Sequence, residues 1–152
     1  MYILGIGGYT LDAAASLVKD GELIAAVEEE RFTRKKHEGG MPYKAIDYCL
    51  KEANITLKDI DHIGFSYKPR LRISKRIPYR ILKIPKAPFY SLGYIVDEIN
   101  STGLYLSELK QLKQNEKTKI HFIEHHLAHA ASVFLTSPFE ESAILTLDYM
   151  GE

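Results

Sequence analysis

The dipeptide Asp20-Gly21 stands between two apolar runs, Ala13–Val18 and Leu23–Val27. Asp-Gly in that setting signals a tight hairpin, because the turn needs positive φ and glycine takes it without steric cost. A third apolar run, Tyr2–Ile6, precedes the pair and is closed by Gly5, Gly7 and Gly8. It reads as a buried strand ending in a tight turn. The chain is therefore expected to open with three adjacent antiparallel strands.

Helical signals follow. Ala45, Ile46, Cys49, Leu50 and Ala53 recur at helical spacing and make one apolar stripe. Pro42 suits the first helical position, where its missing N–H had no partner to lose, and Asn54 is the stop. Further strands are expected at Ile63–Tyr67, Lys119–Ile123 and Ser142–Leu147, the last ending on Asp148. Helices are expected at Tyr90–Lys113, broken near Gly103, and at His125–Leu135. Strands alternating with helices after an opening hairpin predict an α/β fold, a mixed sheet with flanking helices. The 152 residues are one domain's worth, so residues 1–152 are taken as a single unit. A basic, proline-containing excursion at 68–89 interrupts it, carrying Lys68, Arg70, Arg72, Lys75, Arg76, Arg80, Lys83 and Lys86.

The charge balance is 20 basic against 20 acidic residues, which removes any global electrostatic case for nucleic acid. The basic excursion, with its interleaved aromatics, suits nucleic acid or an acidic surface, but in a neutral chain it reads first as an exposed linker. No apolar stretch approaches the roughly 18 residues that a membrane span needs. The N-terminus has no basic start and reads as a strand, not as a signal peptide. Cys49 is the sole cysteine, so there is no internal disulfide and no CxxC knuckle; a reducing, cytoplasmic setting is expected.

Three constellations carry candidate chemistry. In Glu124-His125-His126-Leu127-Ala128-His129, His125 and His129 stand at i and i+4, on one helix face about 5–6 Å apart. That spacing suits chelation of one metal ion; the plainer reading is local hydrogen bonding at a helix start. Asp148, at a strand end, is the candidate third ligand. In Glu28–His37, the residues Arg34, Lys35, Lys36 and His37 suit a phosphate or carboxylate, or else form a solvated charged face. The turn Gly7–Asp12 has glycines that let backbone N–H groups approach a phosphate, but it lacks the lysine of a P-loop.

Together these segments resemble one family. Ile3–Ile6, Asp12–Ala15 and the run from Asp20 through Glu28-Glu29-Glu30-Arg31-Phe32 to His37 look like the opening of nodulation-protein-U and antibiotic O-carbamoyltransferases. Met41-Pro42, Tyr67-Lys68-Pro69, the stretch Glu124–Ser132, Ser137-Pro138-Phe139 and Leu147–Glu152 continue the likeness.

The resemblance implies an actin-like ATPase (ribonuclease-H-like) fold, of which this chain would be the N-terminal half. It also implies the reaction: carbamoyl phosphate and ATP give a carbamoyl-adenylate, and the carbamoyl group passes to a hydroxyl acceptor such as a sugar or antibiotic. By the same likeness, His125, His129 and Asp148 bind a divalent metal such as Fe or Mg beside the phosphates. Arg34, Lys36, His37 and Asp12 hold carbamoyl phosphate or its intermediate. Two positions depart from the pattern: Leu11 replaces a histidine before Asp12, and Tyr149 replaces a glycine after Asp148. Family members run to several hundred residues, so this chain is expected to supply one wall of the site and to turn over little ATP by itself. A non-catalytic actin-like binding module and a protein related to tRNA threonylcarbamoylation are the alternative expectations.

Overall fold

The hairpin forms where Asp20-Gly21 places it. Strands β1 (Tyr2–Gly7), β2 (Ala14–Lys19) and β3 (Glu22–Glu28) are antiparallel neighbours, with Leu4 opposite Leu17 and Ala15 opposite Val27. Asp20 and Gly21 have φ of 51° and 91°, the positive values that a primed two-residue turn requires. This computed structural model describes residues 1–9, 11–68, 77–79, 81–85 and 88–147, apart from the side chain of Glu98. Most of the basic excursion, and Asp148 and Tyr149, lie outside the described residues.

The chain then extends the sheet on the far side of β1. Strand β4 (His62–Phe65) runs parallel to β1, and β5 (Lys119–Phe122) runs parallel to β4. The strand order is β3-β2-β1-β4-β5. Helix α1 (Glu30–Thr33) is a single turn after β3. Helix α2 (Tyr43–Glu52) crosses from β3 toward β4, and α3 (Pro88–Leu112) lies between β4 and β5 in sequence. Helix α4 (His125–Phe134) follows β5.

Alternation fixes which face is core. Leu4, Ile6, Ala15, Leu17, Ile63 and Phe65 are buried on one sheet face, with Ile120 and Phe122 packed against them. Onto that face α2 sets Ala45, Ile46, Cys49 and Leu50, and α3 sets Tyr105, Leu109 and Leu112. Helix α2 stops as the sequence suggests. Asn54 has φ of 54°, its N–H reaches the Lys51 carbonyl, and the Ile55 N–H reaches Leu50. That pair of bonds closes the helix in a left-handed C-terminal cap.

Two expectations fail. Helix α3 runs unbroken through Gly103. One glycine costs about 1 kcal/mol in a helix interior, and the burial of Thr102, Tyr105 and Leu109 around it offsets that. The sixth strand at Ser142–Leu147 does not form. The segment is irregular, and Leu145 and Leu147 are 81% and 86% exposed. An apolar run becomes a strand only with a neighbour to satisfy its N–H and C=O groups, and among the described residues no strand pairs with it.

Candidate functional site

The topology sends three of the predicted site segments, those after β1, β3 and β5, to one edge of the sheet. β1, β4 and β5 point the same way, so the loop after β1 and helix α4 after β5 both leave from their C-terminal edge. β3 runs antiparallel to β2, which is itself antiparallel to β1, so the segment after Glu28 leaves from that edge too. β1 is also where the connections change direction, to β2 on one side and β4 on the other. Such a switch point opens a crevice at the strand ends. With strands about 4.8 Å apart, β1 and β5 lie about 10 Å from each other.

Two of the predicted residues meet there. His37 Nδ1 lies 2.9 Å from Asp12 Oδ1, although 25 positions separate them. Backbone bonds zip their loops together: the Gly40 N–H donates to the Tyr9 carbonyl, Ala13 N–H to Glu38, and Glu29 N–H to Ala13. The backbone itself is strained at this place. Asp12, Arg34 and His37 have φ of 55°, 62° and 55°. Left-handed backbone is uncommon outside glycine and gathers where surrounding structure over-determines it. Gly8, at φ of 68°, could accept no side chain, because a Cβ would strike the Asp12 carbonyl.

The three consecutive glutamates divide the work of building this loop. Glu28 pairs with Arg31 at 2.9 Å. Glu29 is buried and accepts from the Lys44 and Ala45 N–H groups at 3.2 and 2.8 Å, capping α2 from a distance. Glu30 accepts from the His37 N–H at 3.2 Å and draws Lys36 and Arg31 to 3.7 and 3.8 Å. Lys35 faces Glu38 at 3.7 Å. Among the described residues Arg34 makes no ion pair. Together with Glu30, Arg31, Lys35 and Lys36 it lines a shallow hollow. Of the family-derived set, Lys36 lies 3.7 Å from Glu30 and Arg34 has no ion-pair partner among the described residues.

His125 and His129 also converge as the spacing implied, with Nε2 atoms 3.1 Å apart. For metal–nitrogen bonds of about 2.05 Å, that separation subtends roughly 98° at the metal, within the range of a tetrahedral or octahedral site. The two imidazoles therefore fit one edge of a metal centre. Among the described residues no third histidine, cysteine or carboxylate joins them. His126 turns aside, its Nδ1 3.0 Å from Thr146 Oγ1. That contact ties the segment leading to position 148 against the helix.

Residues 2–152 match the model for the carbamoyltransferase N-terminus. The chain belongs to that family. It is 37% identical to nodulation protein NolNO of Sinorhizobium fredii, over 93% of this chain and 20% of that protein. It is 42% identical to protein sll1178 of Synechocystis sp., over 99% of this chain and 26% of the relative. A more distant match, at 26% over 93% of the chain, is protein MJ1051 of Methanocaldococcus jannaschii. The chain thus spans about a quarter or a fifth of the length of these relatives. Among the described residues no helix is long and apolar enough to cross a membrane.

One support of the site was not foreseen from sequence. Glu108 on α3 accepts from the Tyr9 hydroxyl at 3.0 Å and from the Tyr43 hydroxyl at 3.3 Å. It thereby holds the β1–β2 loop and the start of α2 together. Burial, and then the bond to Glu108, push the Tyr9 phenol up to about 12. Burial and the Glu108 charge raise Tyr43 as well. The Tyr9 ring packs edge-on to Tyr105 and Phe65. No local pattern marks these residues, because 99 and 65 positions separate the partners.

Proposed function

We propose that this chain forms the N-terminal wall of an ATP-dependent O-carbamoyltransferase, in an actin-like domain completed by further polypeptide. The complete protein would join carbamoyl phosphate and ATP into a carbamoyl-adenylate, then transfer the carbamoyl group to a hydroxyl acceptor. The observation that carries the reading is the Asp12–His37 pair, set on left-handed backbone in the loop that also carries Arg34, which makes no ion pair among the described residues. The order β3-β2-β1-β4-β5, with an antiparallel hairpin opening the sheet, supports the fold reading.

The roles divide by chemistry. Arg34 offers a planar fork of donors to phosphate oxygens, which a carboxylate-paired lysine cannot match. His37, oriented by Asp12, presents its other ring nitrogen to the donor's carbamoyl or phosphoryl oxygens and holds or passes a proton there. The glycine turn Gly7-Gly8 leaves room for phosphates to approach the backbone. His125 and His129, with Asp148 as third ligand, would hold a divalent metal such as Fe or Mg. That ion supplies neutralisation of phosphate charge and polarisation of the reacting oxygen.

The test uses the complete protein with ATP and carbamoyl phosphate. Carbamoyl-adenylate should form, and Arg34→Ala should raise KM for carbamoyl phosphate at least tenfold. His37→Ala should lower kcat more than KM. Absence of adenylate from well-folded complete protein, with acceptors varied, would remove the reading.

A further inference from the structure

A second histidine pair lies on the sheet, away from the edge just described. His62 opens β4 and His121 is the third residue of β5. His62 pairs with Lys119 and Gly64 with His121, so both imidazoles stand on the same sheet face, on a diagonal across adjacent strands. That face is opposite Ile63, Phe65, Ile120 and Phe122, hence opposite the core. The rings meet at 5.0 Å between centroids, and His62 Nδ1 lies 2.9 Å from His121 Nε2. His62 is half-buried and His121 is exposed, so solvent ions reach the nitrogens.

From this geometry we infer that His62 and His121 form a two-histidine site for a divalent transition-metal ion of the copper(II) or nickel(II) type. The two nitrogens stand as close as two cis ligands of such an ion, and a modest turn of each ring brings both lone pairs onto it. The hydrogen bond between them uses one ring N–H. A ring that shifts its proton to its outer nitrogen frees both inner lone pairs for the metal.

The separation selects among metals. At about 2.05 Å per bond, 2.9 Å between nitrogens subtends about 90°, the cis angle of square-planar and octahedral ions. A tetrahedral zinc site would need about 3.3 Å, so the rings would have to turn apart by about 0.4 Å. Water completes the coordination, since among the described residues no third histidine, cysteine or carboxylate stands close enough to join. Lys119, beside His62 in the ladder, adds a positive charge that weakens the site without blocking it. The consequence for the fold is a clip across β4 and the last strand of the order, β5, with His62 about 10 Å and His121 about 3 Å along the sheet from the strand ends.

The site is separable from the His125–His129 pair, and so is its test. The full chain carrying His125→Ala and His129→Ala is titrated with copper(II) alone, by calorimetry and by the copper electron paramagnetic spectrum. One copper per chain should remain, with two-nitrogen hyperfine structure. Adding His62→Gln or His121→Gln should lower the affinity at least tenfold, because each removes half of the chelate. An affinity within twofold of the parent, or no copper bound by the parent, overturns the assignment. A second readout does not depend on the variants folding: in the unsubstituted chain, copper should broaden the ring resonances of His62 and His121 together. Failure of either ring to broaden also overturns it.

Discussion

Glu29 offers the sharpest test of how this fold is built. Its carboxylate is 7% exposed and caps α2 from 15 and 16 residues away, through the Lys44 and Ala45 N–H groups. No side chain next to the helix start does this work: Pro42 occupies the cap position and forms no side-chain bond there. Glu29→Ala removes both acceptors at once. A hydrogen bond to a charged group contributes about 1.5–3 kcal/mol, and loss of an N-cap costs about 0.5–2 kcal/mol. Water reaches Lys44 and recovers part of this, because that end of the helix is exposed. The expected loss is therefore about 2–4 kcal/mol. For a chain of this length that lowers Tm by roughly 5–15 °C, at about 2–4 °C per kcal/mol. Glu29→Gln keeps one acceptor and turns an N–H against the other donor, so it should fall between. Chemical and thermal unfolding give the magnitude. Amide hydrogen exchange gives the place, with Lys44 and Ala45 losing protection first. An alanine variant within 0.5 kcal/mol of the parent, or exchange unchanged at those two amides, would refute the argument.

Cys49 should resist thiol reagents in the folded protein at pH 8 and react fully on unfolding. It is buried, and burial, with the nearby Glu52 charge second, raises its thiol to about 11. The raised value means that the fold holds the proton more tightly than the unfolded chain. Stability should accordingly be intact below pH 9 and decline as pH rises toward 11, which a pH series of unfolding curves measures. Gly8→Ala and Gly21→Ala form a matched pair, since both glycines have positive φ. Gly21 faces open space and should cost only the left-handed penalty of about 1–2 kcal/mol. Gly8→Ala should cost more and shift the His37 ring resonances, because its Cβ collides with the loop that carries Asp12. Equal losses for the two would contradict the collision.

What was legible in the sequence was local. Asp20-Gly21 fixed the hairpin because a two-residue turn leaves little freedom of register. Asn54 marked a helix end because left-handed backbone suits few residues. The spacing of His125 and His129 carried their convergence, since helix geometry is the same everywhere. The misreadings share a cause as well. Ser142–Leu147 has the apolar content of a strand, but content does not supply a partner strand. Gly103 looked like a break because its helix is held by Tyr105 and Leu109 packing on the sheet, a contact that no local window contains. Glu28–Glu30 look alike as a charge run. Only the fold shows that one is a surface ion pair, one a buried cap and one the organiser of the His37 loop.

The left-handed residues of the candidate site have a consequence for evolution and engineering. Asp12 and His37 belong to types that adopt this backbone comparatively well, whereas Arg34 does not. Glycine at position 34 would relieve the strain while discarding the cation that the proposed function assigns to the anion, one with no ion-pair partner among the described residues. A library selected for heat resistance should therefore accumulate glycine at 34, and a library selected for turnover should purge it. The same codon would be pulled in opposite directions by the two pressures, a conflict that separates a residue kept for its ligand from one kept for the fold.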